Sequence, residues 1–276
     1  MTLEDGAAGL GWDGHLLLLH SSEFERGSQL AGWVRRGLAR EEQVICTQIE
    51  TESPQRSVLA VLGQHGIDAQ AAAAEGRLLV LPPVAIYPVG VAGQLERIER
   101  ALAEGYRGVR ISGEASAALT AVSEQAFADL ERLMDELCRT QPVSALCQYE
   151  RAATTGARLE QATAAHSAGI REAQLQTAEA DRGLLLAGEV DWSNHLVLLS
   201  AVEAAVSTAS EMFWLDLRRV AFLSVGGCRA LVIGTQAFRD RGGRVLLVAP
   251  EPMVEEILRL VGLDSVENVE IVGSLT

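Results

Sequence analysis

Short, nearly continuous apolar runs alternate with segments of helical period along the first 150 residues. His15-Leu-Leu-Leu-Leu19, Val44-Ile-Cys-Thr47, Leu78-Leu-Val-Leu81, Val109-Arg-Ile-Ser112 and the run from Val143 to Tyr149 read as buried strands. Between them, apolar positions recur every three or four residues: Leu30, Val34 and Leu38; Val58, Val61 and Leu62; Leu95, Ile98 and Leu102; Phe127, Leu130, Met134 and Leu137. Strands without polar alternation, separated by amphipathic helices, predict a parallel sheet covered on both faces. This part is therefore expected to be α/β, an open parallel-sheet domain of the three-layer kind.

From Arg151 to Arg182 the pattern weakens into Ala, Thr, Gln and Glu, which suggests a last helix or strap and a linker. Alternation then resumes with strands at Leu184–Ala187, Trp214–Leu217, Val245–Val248 and Val269–Val272. The helices between them carry Leu198, Val202 and Val206, then Cys228, Leu231, Val232 and Phe238, then Val254, Ile257, Leu258 and Val261. The reading is two α/β domains, 10–165 and 183–276, joined by a linker at 166–182.

Composition narrows the function. The 276 residues carry a formal charge of -14 and contain no lysine. An acidic surface repels phosphate backbones, so no nucleic-acid partner is expected. Without lysine there is no Walker A loop. The start has no basic segment before an apolar one, and no apolar run reaches the roughly 18–20 residues of a membrane span, so a cytoplasmic protein without membrane contact is expected. Cys46, Cys138, Cys147 and Cys228 are widely spaced, and the five histidines are scattered, with His15 and His20 five apart in a strand where odd spacing puts side chains on opposite faces. They form no metal-ligand motif, and neither a metal nor a cofactor is expected.

Gly188-Glu-Val-Asp191, Leu215-Asp-Leu217, the turn from Phe222 to Gly227, Gly242-Gly243 and Leu260-Val-Gly-Leu263 stand in an order that resembles the STAS domain of anti-sigma-factor antagonists. The resemblance implies a STAS-type α/β domain that switches protein partners by binding a kinase-type anti-sigma factor. It places the partner surface at Asp191, Ser224, Val225, Gly226, Gly227 and Arg229. The family's phosphorylated serine falls on Val225, which has no hydroxyl; Ser224 before it reads as a helix cap. Regulation by phosphate at the usual position is therefore not expected.

The first domain is similar to the MEDS sensory domain, through His15 with its apolar run, Glu104-Gly-Tyr-Arg-Gly108, Val109 to Glu114, and Val143 to Tyr149. The resemblance implies a RecA- or Rossmann-like sheet that senses small organic signals. His20-Ser21-Ser22 stands where that family usually has Tyr-Asp-Ser. His15, Glu114, Cys147 and Tyr149 are the candidate sensing residues. They are expected to converge near the carboxyl edge of the sheet, where open parallel sheets bind ligands. Packing for His15 and Cys147 and helix capping for Glu114 are the plainer alternatives.

The leading reading is a non-enzymatic regulator in which a sensor domain controls a STAS domain, with a homo-oligomer compatible. The alternatives are a scaffold in a larger signalling assembly, or a hydrolase or transferase using Glu114 with His15 or Cys147. The last lacks a nucleophile-elbow motif, since Gly113-Glu-Ala-Ser-Ala117 fails at its final position.

Overall fold

The computed structural model describes Gly11, residues 13–49 and residues 54–273. The first ten residues, which include the expected start of the first domain and most of the segment read as unlike a signal peptide, lie outside the described residues. The chain divides into two compact units, one of them Trp12–Thr154 and the other holding Thr155–Thr276.

In the first unit, β1 (His15–His20), β2 (Gln43–Thr47), β3 (Leu78–Leu81), β4 (Val109–Glu114) and β5 (Val143–Glu150) form parallel pairs in the order β1-β5-β4-β2-β3. All six residues of β1 are buried, as its unbroken apolar run requires. Helix α1 (Glu23–Ala39) starts at Ser22, whose hydroxyl accepts from the Glu25 N–H, while the Glu25 carboxylate reaches back to the Ser21 N–H. Two short helices, α2 (Val58–Gln64) and α3 (Ala69–Ala74), precede β3. Helices α4 (Gly90–Ala103) and α6 (Glu124–Thr140) cover one face of the sheet, with the four-residue α5 (Ala115–Ala118) directly after β4. On that face Ile45, Ile111, Val143 and Ala145 pack against Ile98 and Ala101 of α4 and Leu130, Met134 and Leu137 of α6.

The second unit opens with α7 (Ala157–Ala165), the helix expected after Arg151. Its Thr163 hydroxyl lies 2.6 Å from that of Ser200 on α8 (His195–Ser207). The stretch 166–182, expected as linker, holds two strands, β6 (Gly169–Arg171) and β7 (Leu175–Ala180). Strand β7 runs antiparallel to β8 (Gly183–Val190) through a two-residue turn in which Arg182 adopts φ 59°. That left-handed residue replaces the Asn-Gly or Asp-Gly signal by which such hairpins are read in sequence. From β8 the sheet continues in parallel through β9 (Met212–Leu223) and β10 (Arg244–Val248) to β11 (Val269–Val272). Strand β9 is 12 residues long, far beyond the four-residue run expected. The helix expected across Cys228–Phe238 is two, α9 (Val225–Gly234) and α10 (Gln236–Asp240), meeting at Thr235. Helix α11 (Pro252–Leu260) precedes the last strand. Among the described residues, no helix is long and apolar enough to cross a membrane.

Candidate functional site

Strand alternation in β5 puts Val143, Ala145, Cys147 and Tyr149 on the face that α6 covers. His15 opens β1 opposite Ala145, and its side chain turns toward the same helix. There α6 offers Glu131 and Asp135, four residues apart and only 5% and 8% exposed. The His15 Nε2 lies 3.4 Å from Cys147 Sγ and 3.4 Å from Glu131 Oε2, and its Nδ1 faces Asp135 Oδ1 at 3.7 Å. Asp135 also receives Arg139 at 2.6 Å. Carboxylates are seldom this buried unless partnered.

Burial disfavours the imidazolium of His15, yet the Cys147 sulfur and the Asp135 and Glu131 carboxylates outweigh it and raise its pKa well above the ordinary value. The Cys147 thiol is itself pushed up to about 11, by burial and then by the Glu131 charge. At neutral pH the sulfur is thus a thiol, so the Asp135 and Glu131 contacts are what favour the imidazolium of His15. His15 and Cys147 have the reach of a base and a nucleophile, but a raised thiol pKa is the reverse of an activated cysteine.

Next to this cluster an aromatic series continues along the same face. Tyr149 meets Phe127 at 6.4 Å between ring centres, and Phe127 meets Tyr87 edge-on at 6.3 Å. The Tyr87 hydroxyl lies 3.2 Å from that of Thr47, directly over Gly113. A side chain at Gly113 would start 2.1 Å from the Tyr87 oxygen and 2.2 Å from the Thr47 oxygen, so glycine is what lets the two hydroxyls meet above β4.

Glu114 points to the other face. It ends β4 at the N-cap position of α5, but its carboxylate makes no cap bond there. It pairs instead with the buried Arg26 of α1 at 3.2 Å. Arg26 also donates to Glu23 and to Gln148, and Gln148 donates to the Ser112 hydroxyl. His20 faces the same network, and burial followed by the Arg26 charge lowers its pKa to about 4. The expected convergence of four residues at the carboxyl edge is therefore corrected. His15, Cys147 and Tyr149 share the α6 face, with His15 at the amino end of its strand, and Glu114 lies across the sheet from them.

In the second unit the candidate residues gather where α8 and α9 begin. Asp191 closes a tight turn, accepting from the Ser193 N–H at 2.7 Å and the Ser193 hydroxyl at 2.6 Å. These two bonds, the hydroxyl's first, lower the Asp191 pKa. Asn194, fully buried, accepts from the Asp191 N–H and donates to the Glu189 carbonyl, which fixes the loop. The outcome is Trp192, 85% exposed, stacked on His195 with ring centres 5.1 Å apart. The His195 ring in turn lies 3.7 Å from where a side chain at Gly226 would begin. Leu196 and Val225, 52% and 66% exposed, flank that contact, and Arg229 is exposed one turn along α9. Gly227 is buried between Val190 and Leu223.

Ser224 follows β9 and precedes α9, so strand alternation does not orient it. It is the N-cap, its hydroxyl accepting from the Gly227 N–H at 3.2 Å. Ser224→Ala is expected to cost about 1 kcal/mol, the ordinary value of such a cap. Urea unfolding of the full chain, with exchange of the α9 amides, reads it.

Comparison with known proteins gives two parts, the first reaching past the end of the first unit to include α7. Residues 14–167 match the family described as MEDS, the methanogen/methylotroph, DcmR sensory domain. Residues 173–273 match a family described as the Mlab, STAS domain. Among solved structures, a proposed anti-sigma factor antagonist from Thermotoga maritima is 21% identical over 37% of this chain and 87% of its own, with a TM-score of 0.32. The anti-sigma factor antagonist SpoIIAA in its unphosphorylated form is 18% identical over 35% and 86%, with a TM-score of 0.30. The Bacillus cell fate determinant SpoIIAA in its phosphorylated form is 17% identical over 35% and 89%, with a TM-score of 0.29. A search of curated proteins finds no match. The chain belongs to the MEDS family, and its C-terminal part is a STAS domain.

Proposed function

We propose that this protein is a non-enzymatic cytosolic signalling regulator whose MEDS domain senses a small organic signal and controls partner binding by its STAS domain. The partner in this reading is an anti-sigma factor or a related kinase-type protein, as the resemblance of the C-terminal sequence to anti-sigma-factor antagonists implies. One observation carries the reading: Trp192, Leu196 and Val225 stand exposed together at the starts of α8 and α9. An exposed aromatic residue beside aliphatic ones, rimmed by an arginine, has the composition of a protein-binding surface.

The absence of a hydroxyl on Val225 and the capping role of Ser224 support a surface that is not switched by its own phosphorylation. Control then comes from a signal that binds one state of the sensor better than another. The test is calorimetric titration of the full chain with each kinase-type anti-sigma factor of its host, with phosphate on both proteins read by mass spectrometry. Binding to at least one, without phosphate on this chain, is the expected result. Failure to bind any overturns the partner class. Stoichiometric phosphate on Ser224, with release by Ser224→Asp, overturns the mode of control.

A further inference from the structure

We propose that the MEDS domain binds one divalent cation of the zinc class through His15 Nε2, the Glu131 carboxylate and Cys147 Sγ, with Asp135 orienting the imidazole from its other nitrogen. Three separate elements, β1, α6 and β5, bring these donors together, and their ligand atoms lie within 4.8 Å of one another. The geometry is more specific than proximity. Bond lengths of 2.0–2.3 Å to nitrogen, oxygen and sulfur put neighbouring ligands of a tetrahedral ion roughly 3.3–3.6 Å apart. The Nε2–Sγ and Nε2–Oε2 distances are both 3.4 Å.

The donor set is also selective. One imidazole, one carboxylate and one thiolate suit a borderline-soft ion such as Zn²⁺ or Co²⁺ and would disfavour Mg²⁺ or Ca²⁺, which take oxygen. Asp135 stands where a metal-bound histidine ordinarily has a carboxylate, 3.7 Å from the non-ligating nitrogen; closing to a hydrogen bond on metal binding would fix the tautomer with Nε2 free to coordinate. On binding, the Cys147 S–H bond breaks, a metal–sulfur bond forms, and the proton passes to solvent. His15 coordinates as the neutral imidazole, giving up a proton in the same way. With two protons released for one divalent ion, the net charge of the buried assembly does not change. Cation binding goes beyond the partner-switching reading and stands or falls independently of it, since it rests on side chains of the MEDS domain alone.

The test uses the full chain, stripped with a chelator, dialysed, and titrated with Zn²⁺ and with Co²⁺. One equivalent of either is expected to bind, and Co²⁺ to give a thiolate charge-transfer band in the near ultraviolet. Cys147→Ser should abolish that band, while Cys138→Ser, which removes the neighbouring thiol on α6, should keep it. Asp135→Asn should weaken Zn²⁺ roughly 10- to 100-fold, the usual effect of losing such an orienting group. No band with the unmodified chain, or a band that survives in Cys147→Ser, would overturn the proposal. Should Cys147→Ser not fold, Glu131→Gln, of nearly equal volume, is read in the same titration. Unchanged Zn²⁺ affinity in that variant overturns it too, and the site would then be a buried ion pair that only packs α6 onto the sheet.

Discussion

Val225→Asp is expected to weaken partner binding by on the order of 100-fold, about 3 kcal/mol. Val225 is the first residue of α9 and is 66% exposed, next in the chain to Gly226, over which the His195 ring lies. A partner that covers these side chains must desolvate whatever stands at 225. A carboxylate there must be desolvated when the partner closes, even with Arg229 one turn along to pair with it, whereas valine contributes apolar area. The substitution is also gentle on the domain. An acidic residue in the first turn of a helix is favoured by the helix dipole and by the free N–H groups there. The variant should therefore unfold at the same urea concentration as the parent, or slightly higher, so that lost binding cannot be ascribed to lost structure. Calorimetric titration of the folded variant with the partner reads the effect. An unchanged dissociation constant would move the interface elsewhere on the domain.

The residues of that surface were legible in sequence for different reasons. Ser224 and the two glycines after it announce a strand-to-helix turn, and the cap bond to Gly227 bears this out. Trp192 has no such signal, because a single tryptophan in a polar loop carries no period; only the Asp191 and Asn194 bonds show that the loop holds it outward. The sensory site was half legible. Alternation along β5 does place Cys147 and Tyr149 on one face, but it says nothing of the helix above them. Glu131 and Asp135 are masked by sitting on a helix with many exposed acids. The signal that could have found them is their place one and two turns after Phe127, on the stripe that also holds Leu130 and Met134 and that the sheet must cover. His15 was expected with Glu114 because both adjoin strands. Strand order and facing, which decide that His15 meets Cys147 and that Glu114 meets Arg26, are properties of pairing between segments far apart in the chain. The hairpin of β7 and β8 escaped for a local reason, a turn closed by arginine where asparagine or glycine is usual.

Gly188→Ala is expected to destabilise the STAS domain by about 4 kcal/mol, a large fraction of the stability of an ordinary domain. Gly188 begins the Gly-Glu-Val-Asp run on which the resemblance to STAS domains partly rests, and the structure shows what it does. It lies in β8 opposite Leu175, where the pairing with β9 shifts register, and its φ is +99°. A Cβ there would stand 2.0 Å from the Gln174 carbonyl oxygen. That oxygen cannot swing away freely, because it accepts the Glu189 N–H at 2.8 Å. Alanine must therefore either break this bond and open the β7–β8 pairing or abandon a backbone conformation that only glycine holds without strain. Gly242, in the turn before β10, separates the two costs. Its φ is +88°, yet nothing lies within 4 Å of where its Cβ would be. Gly242→Ala should thus show the conformational penalty alone, about 1–2 kcal/mol. Urea unfolding of both full-length variants, with hydrogen exchange of the β8 and β9 amides to assign the transition, measures the difference. A Gly188→Ala midpoint no lower than that of Gly242→Ala would mean that the Gln174 carbonyl yields cheaply and that the register shift in β8 does not depend on glycine.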